Sequence, residues 1–303
     1  LLIKRFEEEI NNLINLKLKC FAIDDIFKKI NFFLVISHNV RGENGYYLEK
    51  ALKSKTHSIC VPHGTITNNF NKHDKIYKKI IADSVIFDKC KYISAQTKIA
   101  KKFLTKNTRF KKKIISSGNM IFAEKRKKRK LERKILFAVT LKKFFNLQFL
   151  GVEAFYEFID NLKFLNNFSE INKMKIYINL HPAAKDSLTN LKNLFPNLTF
   201  SFEKIDKILK KVDMTISFSS TVIEDSLCSE IPVILLDRWK RYQHCEAQLD
   251  YFKKNYPIYY VNEEKNLIKC INSIYDSKQI SYKKHTFSGN FKSNIKNFIN
   301  FLN

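Results

Sequence analysis

A short apolar run over residues 212–216 stops in the hydroxyl-rich turn Ser217-Phe218-Ser219-Ser220-Thr221 and passes directly into Val222-Ile223-Glu224-Asp225. A second apolar run, residues 231–236, follows after that segment and begins Ile231-Pro232. Two buried strands joined through a helix must run parallel, which commits this part of the chain to a layered α/β sheet. A strand that turns into a helix through hydroxyl residues gathers free N–H groups and hydroxyls at the positive helix end, where a phosphate is favoured. Asp225, one turn further in, is placed to accept hydrogen bonds from a ribose. The plainer alternative is that Ser219 or Ser220 merely caps the helix.

The same alternation recurs along the chain. Residues 3–18 carry apolar positions at helical spacing, and residues 20–23 read as a short strand. Residues 32–36 form an apolar run that opens into Ser37-His38-Asn39-Val40-Arg41-Gly42, with a helix predicted over 46–53. Ligands bind in loops that leave the carboxyl ends of parallel strands, so Asn39 and Arg41 are candidates for a site there. A strand over 57–61 ends in Pro62-His63-Gly64-Thr65; further strands are expected at 84–87 and 113–116, and a helix at 94–104. Residues 124–134 are almost wholly charged and cannot be buried, so they read as a solvated linker. Beyond it come strand 135–139 with Thr140, helix 152–164, strand 175–180 ending in His181-Pro182, helix 187–195, strand 198–202 and helix 204–211. Pro182 cannot extend its strand. Arg238-Trp239-Lys240-Arg241 leaves the 231–236 strand, and Arg238 is expected at a diphosphate, with Lys240 and Arg241 as alternatives. Helices close the chain at 267–274 and 291–302.

This order predicts an α/β protein of two Rossmann-like doubly wound domains facing a cleft. Residues 1–123 form the first domain, 124–134 the linker and 135–303 the second, with terminal helices packing back. The first residue is Leu1, which suggests a truncated first domain.

A hydrophobic content of 45% in 303 residues suits two packed domains. The formal charge of +26 invites a nucleic-acid reading, but the lysines are spread over most predicted helices, and no RRM or helix-turn-helix pattern occurs. The charge suits equally a protein beside an anionic membrane, where each basic residue of the 124–134 run contributes about 1 kcal/mol. No apolar run approaches the ~20 residues of a membrane span. The six cysteines show no C-x-x-C pair and no histidine at metal spacing, so no structural metal and a reducing, cytoplasmic setting are expected. Glycine fingerprints for NAD and the Walker A loop are missing from the sequence.

Ser219-Ser220-x-x-x-x-Asp225, with Pro232 seven residues later, resembles the donor-site signature of GT-B enzymes that build cell-surface polymers. The likeness is greatest to the CDP-glycerol glycerophosphotransferases and their capsule and polysialic acid relatives. Pro62-His63-Gly64-Thr65, Ile135 to Thr140 and Leu180-His181-Pro182 fall in that group's order. Tryptophan usually precedes the histidine where Pro62 stands here, and Val139 replaces a proline in the turn that ends at Thr140.

The resemblance implies transfer of a glycosyl or polyol-phosphate group from a nucleotide-activated donor to a polysaccharide or lipid-linked hydroxyl. The setting expected is cytoplasmic, with peripheral docking on the inner face of the cell membrane as the minority reading of the charge. His63 is then the catalytic base and Thr65 lies on the acceptor side with Asn39 and Arg41. Thr140, His181, Ser219, Ser220, Thr221 and Arg238 hold the donor phosphates, and Asp225 its ribose. No metal, cofactor or nucleic acid is called for. A non-hydrolysing nucleotide-sugar 2-epimerase and a nucleic-acid-binding module are the alternatives.

Overall fold

The computed structural model describes residues 2–40, 42–62, 68–69, 90–105, 114–119, 131–139, 148–180, 191–218, 220–287, 289 and 291–302. The chain opens with helix α1 (Leu2–Lys29), strand β1 (Leu34–Ser37), helix α2 (Glu43–Lys53) and strand β2 (His57–Cys60). The two-residue β3 (Asn68–Asn69), β4 (Tyr92–Ala95), helix α3 (Lys98–Thr105) and β5 (Ile114–Ser116) follow. These strands build a parallel four-stranded sheet in the order β1-β2-β4-β5.

The second sheet takes β6 (Lys134–Val139), α4 (Gln148–Asn172), β7 (Lys175–Leu180), α5 (Leu191–Leu194), β8 (Leu198–Ser201) and α6 (Ile205–Leu209). It continues with β9 (Met214–Ser217), α7 (Val222–Cys228), β10 (Val233–Leu236), the short β11 (Tyr242–Gln243), β12 (Ile258–Val261), α8 (Glu264–Tyr275) and α9 (Phe291–Leu302). All six core strands are parallel, in the order β8-β7-β6-β9-β10-β12. Counted along the chain, the sheet grows outward from β6 first in one direction and then, from β9, in the other.

Alternation along β6 explains why this sheet needs helices on both faces. Ile135 and Phe137 point into a cluster with Phe158, Leu162 and Leu165 of α4 and Leu267 and Ile271 of α8. Leu136 and Ala138 point the other way, against Ile208 and Leu209 of α6 and Val212. A fully buried aliphatic or aromatic side chain of this kind contributes roughly 1.5–3 kcal/mol, so both faces drive the same topology.

Two local expectations give way to packing. Residues 20–23 lie inside α1, because Cys20, Ile23 and Phe27 continue a helical spacing uninterrupted by any turn residue. Ser94 and Ala95 belong to strand β4, and the helix predicted from residue 94 starts at Lys98, where the Thr97 hydroxyl accepts the Ala100 N–H at 2.9 Å. The aromatic strand Ile258–Val261, unanticipated from the sequence, completes the second sheet at its edge. The strand expected at 84–87 and most of the charged run 124–134 lie outside the described residues.

Helix α9 returns to the first sheet. Phe298 packs with Ile59 and Ile115, and Phe301 meets the Tyr92 ring edge-on at 4.9 Å. Among the described residues no helix is long and apolar enough to cross a membrane.

Candidate functional site

Strand β9 lies beside β6 where the direction of sheet growth reverses, the position at which doubly wound sheets open a crevice at their carboxyl edge. The Ser217 hydroxyl donates to the Ala138 carbonyl at 2.7 Å and so ties the two strand ends together. Ser217 Oγ in turn accepts the Ser220 N–H at 3.3 Å, which folds the turn back on itself. Ser220 is 5% exposed, and its hydroxyl accepts the Val222 N–H at 3.2 Å. The Ser220 hydroxyl is therefore the cap of α7. Thr221, between that serine and the helix, has helical torsions, is half-buried and makes no side-chain capping bond.

The two carboxylates that follow face the first sheet. Glu224 is 3% exposed; one of its oxygens accepts the Thr97 hydroxyl from the end of β4, and the other lies 3.3 Å from His244 Nε2. The Asn119 side chain, from the loop after β5, lies near Asp225 and favours its charged form. Burial pushes the Asp225 carboxyl up to about 8, and the adjacent Glu224 charge acts in the same direction against the pull of Asn119. Burial, with both carboxylates nearby, also pushes the Cys228 thiol up. Ile99 of α3 is packed among Ile223, Leu227, Val233 and Leu235, so apolar contact backs the polar bridge.

Helix α9 and its lead-in lock the same corner. Asn294 is buried, and its Nδ2 donates to the Asn119 carbonyl at 2.9 Å. It sits where a Cβ on Gly118 would fall 2.5 Å from its Oδ1, and Gly118 has φ of +73°, so glycine is required there twice over. Lys98 reaches the same lead-in, with its N–H to the His285 carbonyl at 2.9 Å and its ammonium to the Lys283 carbonyl at 2.7 Å.

The segment that carries His63 is flanked by two cross-links. Pro62 accepts a hydrogen bond from Gln96 Nε2 at 3.0 Å, immediately before Thr97. On the other side Asn68 and Asn69 pair antiparallel with Gln243 and Tyr242, from the loop after β10. His63 and Thr65 themselves, with Arg41, Thr140, His181 and Ser219, lie outside the described residues.

The fold is GT-B-like. Two solved UDP-GlcNAc 2-epimerases show the likeness. That of Methanocaldococcus jannaschii, in complex with UDP-GlcNAc and UDP, aligns over 94% of this chain and 80% of its own at TM-score 0.56 and 16% identity. That of Neisseria meningitidis, bound to UDP-GlcNAc, aligns over 95% and 80% at TM-score 0.56 and 12% identity. A point mutant of S. aureus TarM, in complex with fondaparinux, alpha-GlcNAc-glycerol and UDP, matches 95% of this chain and 59% of its own at TM-score 0.52 and 15% identity. No protein-family model matches the sequence. A search of curated proteins finds no match either.

Within this GT-B-like frame, Asn39 is bound into the β1 loop. Its carbonyl accepts the Ser37 hydroxyl at 2.7 Å, its Oδ1 accepts from Asn44 Nδ2 at 3.1 Å, and its amide nitrogen lies 2.7 Å from His38 Nε2. Arg238 is held between helices: Nη1 reaches Asp160 at 2.8 Å, Nε reaches Glu264 at 2.9 Å, and its guanidinium stacks over Phe164 at 4.8 Å. Its charge is thus met by two carboxylates of α4 and α8. Arg241 lies 3.4 Å from the buried Glu157. The residues that sequence reasoning missed are Thr97, Asn119, Glu224 and His244. Thr97-Lys98-Ile99-Ala100 is a readable helix-cap signal, but the helix placed over 94–104 concealed it.

Proposed function

We propose that this protein transfers a glycosyl or polyol-phosphate group from a nucleotide-activated donor to a hydroxyl acceptor in surface-polysaccharide synthesis, as the CDP-glycerol glycerophosphotransferases and their capsule relatives do. The observation that carries the reading is the Ser217–Thr221 turn, at the switch point of the second sheet and within one helical turn of residues that touch the first. Nucleotides occupy this position in doubly wound sheets.

In this reading Ser219, Thr221, His181 and Thr140 contact the donor phosphates, while Ser220 holds the turn in shape. Asp225 takes the ribose in place of Asn119. His63 removes the proton from the acceptor hydroxyl, with Thr65, Asn39 and Arg41 on the acceptor side. In glycosyl transfer the sugar–phosphate bond breaks and the nucleoside diphosphate leaves; in polyol-phosphate transfer the phosphoanhydride breaks and the nucleoside monophosphate leaves. Either departs readily once its charge is held, so positioning and electrostatics supply most of the acceleration. The acceptor is a polysaccharide or its lipid-linked precursor.

A second reading, nucleotide-sugar 2-epimerase, is favoured by the two epimerase structures that align with more than nine-tenths of this chain. Incubation with labelled UDP-, CDP- and GDP-activated donors separates the two. A transferase releases nucleotide in proportion to added acceptor and moves label into polymer; an epimerase converts the sugar with no acceptor present. Thermal-shift measurement with CDP, CMP, UDP and GDP identifies the base, since a ligand at 100 times its Kd stabilises by about 2.7 kcal/mol. Absence of any nucleotide-dependent shift would sink both readings.

A further inference from the structure

Among the described residues, helix α1 carries an apolar stripe that is exposed over its first half. Ile3, Phe6, Ile10, Leu13 and Ile14 recur at helical spacing and are all exposed, Phe6 at 69% and Leu13 at 65%. Lys4, Glu8, Asn11 and Asn15 occupy the opposite side of the helix. The helix is seated on the body from Leu16 onward: Leu16 lies beside Gly42, Lys19 meets Glu43 at 2.9 Å, Ile23 is buried, and Asp24 meets Lys50 at 2.6 Å and the Tyr46 hydroxyl at 2.9 Å. An isolated helix of this length is marginal in water, and tertiary or quaternary burial of its stripe is what ordinarily sustains it.

Charge selects the occupant. In a chain of formal charge +26, α1 has six basic and five acidic side chains, so it is nearly neutral. The acids are grouped at Glu7-Glu8-Glu9, and Lys17 interrupts the apolar stripe at one of its own positions. A single lysine in a helix seam fixes orientation and register. An antiparallel pair with Ile10 opposite Leu13 of the partner subunit also places Phe6 opposite Lys17 of the partner subunit. The acidic run then flanks that ammonium, and the aromatic face lies against it. A parallel pair would set lysine against lysine and acid against acid.

We infer that α1 pairs antiparallel with α1 of a second copy of this chain, through Ile3, Phe6, Ile10 and Leu13, with Lys17 and Glu7–Glu9 setting the direction. An anionic membrane suits the face less well, because the acidic run borders the stripe.

Sedimentation equilibrium of the full chain should show a dimer. Ile10→Glu with Leu13→Glu should weaken it at least about tenfold while the thermal transition of the body is unchanged, since both side chains are exposed. Lys17→Glu should dissociate the dimer, and adding Glu7→Lys and Glu9→Lys should restore it. Phe6→Cys with Lys17→Cys should oxidise to a disulfide that joins the two positions across subunits. A monomer at high micromolar concentration, a link between two copies of position 6, or a monomer that sediments with phosphatidylserine vesicles would each overturn the inference.

Discussion

At the scale of single residues, Asp225 is the most exposed to experiment. Its carboxyl is held up at about 8, above the 3.8 of an unperturbed aspartate. The folded state therefore binds a proton that the unfolded state has lost. This contribution to stability is complete below about pH 4 and disappears as pH rises through 8. Wild-type protein should lose about 4 kcal/mol between pH 5 and 8.5 from this group. Asp225→Asn should flatten that part of the profile in a denaturant series across the same pH range. An unchanged slope would show that the carboxyl titrates normally. His63 provides a second test, on the chemistry proposed for it. His63→Ala should leave nucleotide affinity nearly unchanged and lower kcat by roughly 10²–10⁴, the usual contribution of a positioned base. A mutant that lost nucleotide binding instead would move His63 to the donor side.

At the scale of elements, the turn into α7 divides its labour between neighbouring serines. Ser220 is the cap, so Ser220→Ala should cost about 1 kcal/mol of stability, the usual loss for a cap, with a smaller effect on nucleotide affinity. Ser219→Ala should do the reverse under the proposed function, and isothermal titration beside chemical denaturation distinguishes the two. The corner around Asn294 is a separate element-level constraint. Gly118→Ala combines a positive φ with a Cβ 2.5 Å from Asn294 Oδ1. It should destabilise by about 1–3 kcal/mol, measured as a lower denaturant midpoint. A neutral effect would mean that α9 sits more loosely on the first sheet than its contacts imply.

At the scale of the whole molecule, the two sheets are coupled by buried polar and apolar contacts together. Thr97 bonds from the first sheet to Glu224 of α7, the Asn119 side chain acts on Asp225 beside it, and Ile99 is packed into the cluster formed by α7 and β10. Ile99→Ala removes atoms from that cluster and should cost about 2–5 kcal/mol. Because the loss lies between sheets, calorimetry should show the single transition broadening or splitting in two. A sharp transition, merely shifted, would mean that the remaining bridges suffice for cooperativity.

Much of this protein follows from local sequence. The parallel α/β class, the hydroxyl turn at Ser217–Thr221 and strands such as Lys175–Leu180 depend on period, run length and turn chemistry, which neighbouring residues set among themselves. Long-range pairing decided the rest. Residues 20–23 are as apolar as a strand, yet α1 claims them because their spacing suits its seat on α2. Tyr92–Ala95 becomes a strand because it lies between β2 and β5, a circumstance no local pattern contains. The Asp225 carboxyl was readable as part of a motif, but the Asn119 side chain that favours its charged form lies more than a hundred residues away, and the elevated proton affinity arises from burial in the assembled chain. Arg238 was readable as a cation leaving a strand end; only the packing of α4 and α8 around it brings Asp160 and Glu264 to its guanidinium. Sequence determines which side chains are available at each strand end, and tertiary structure determines which of them are already bound to one another, because burial and partnership are properties of the assembled chain.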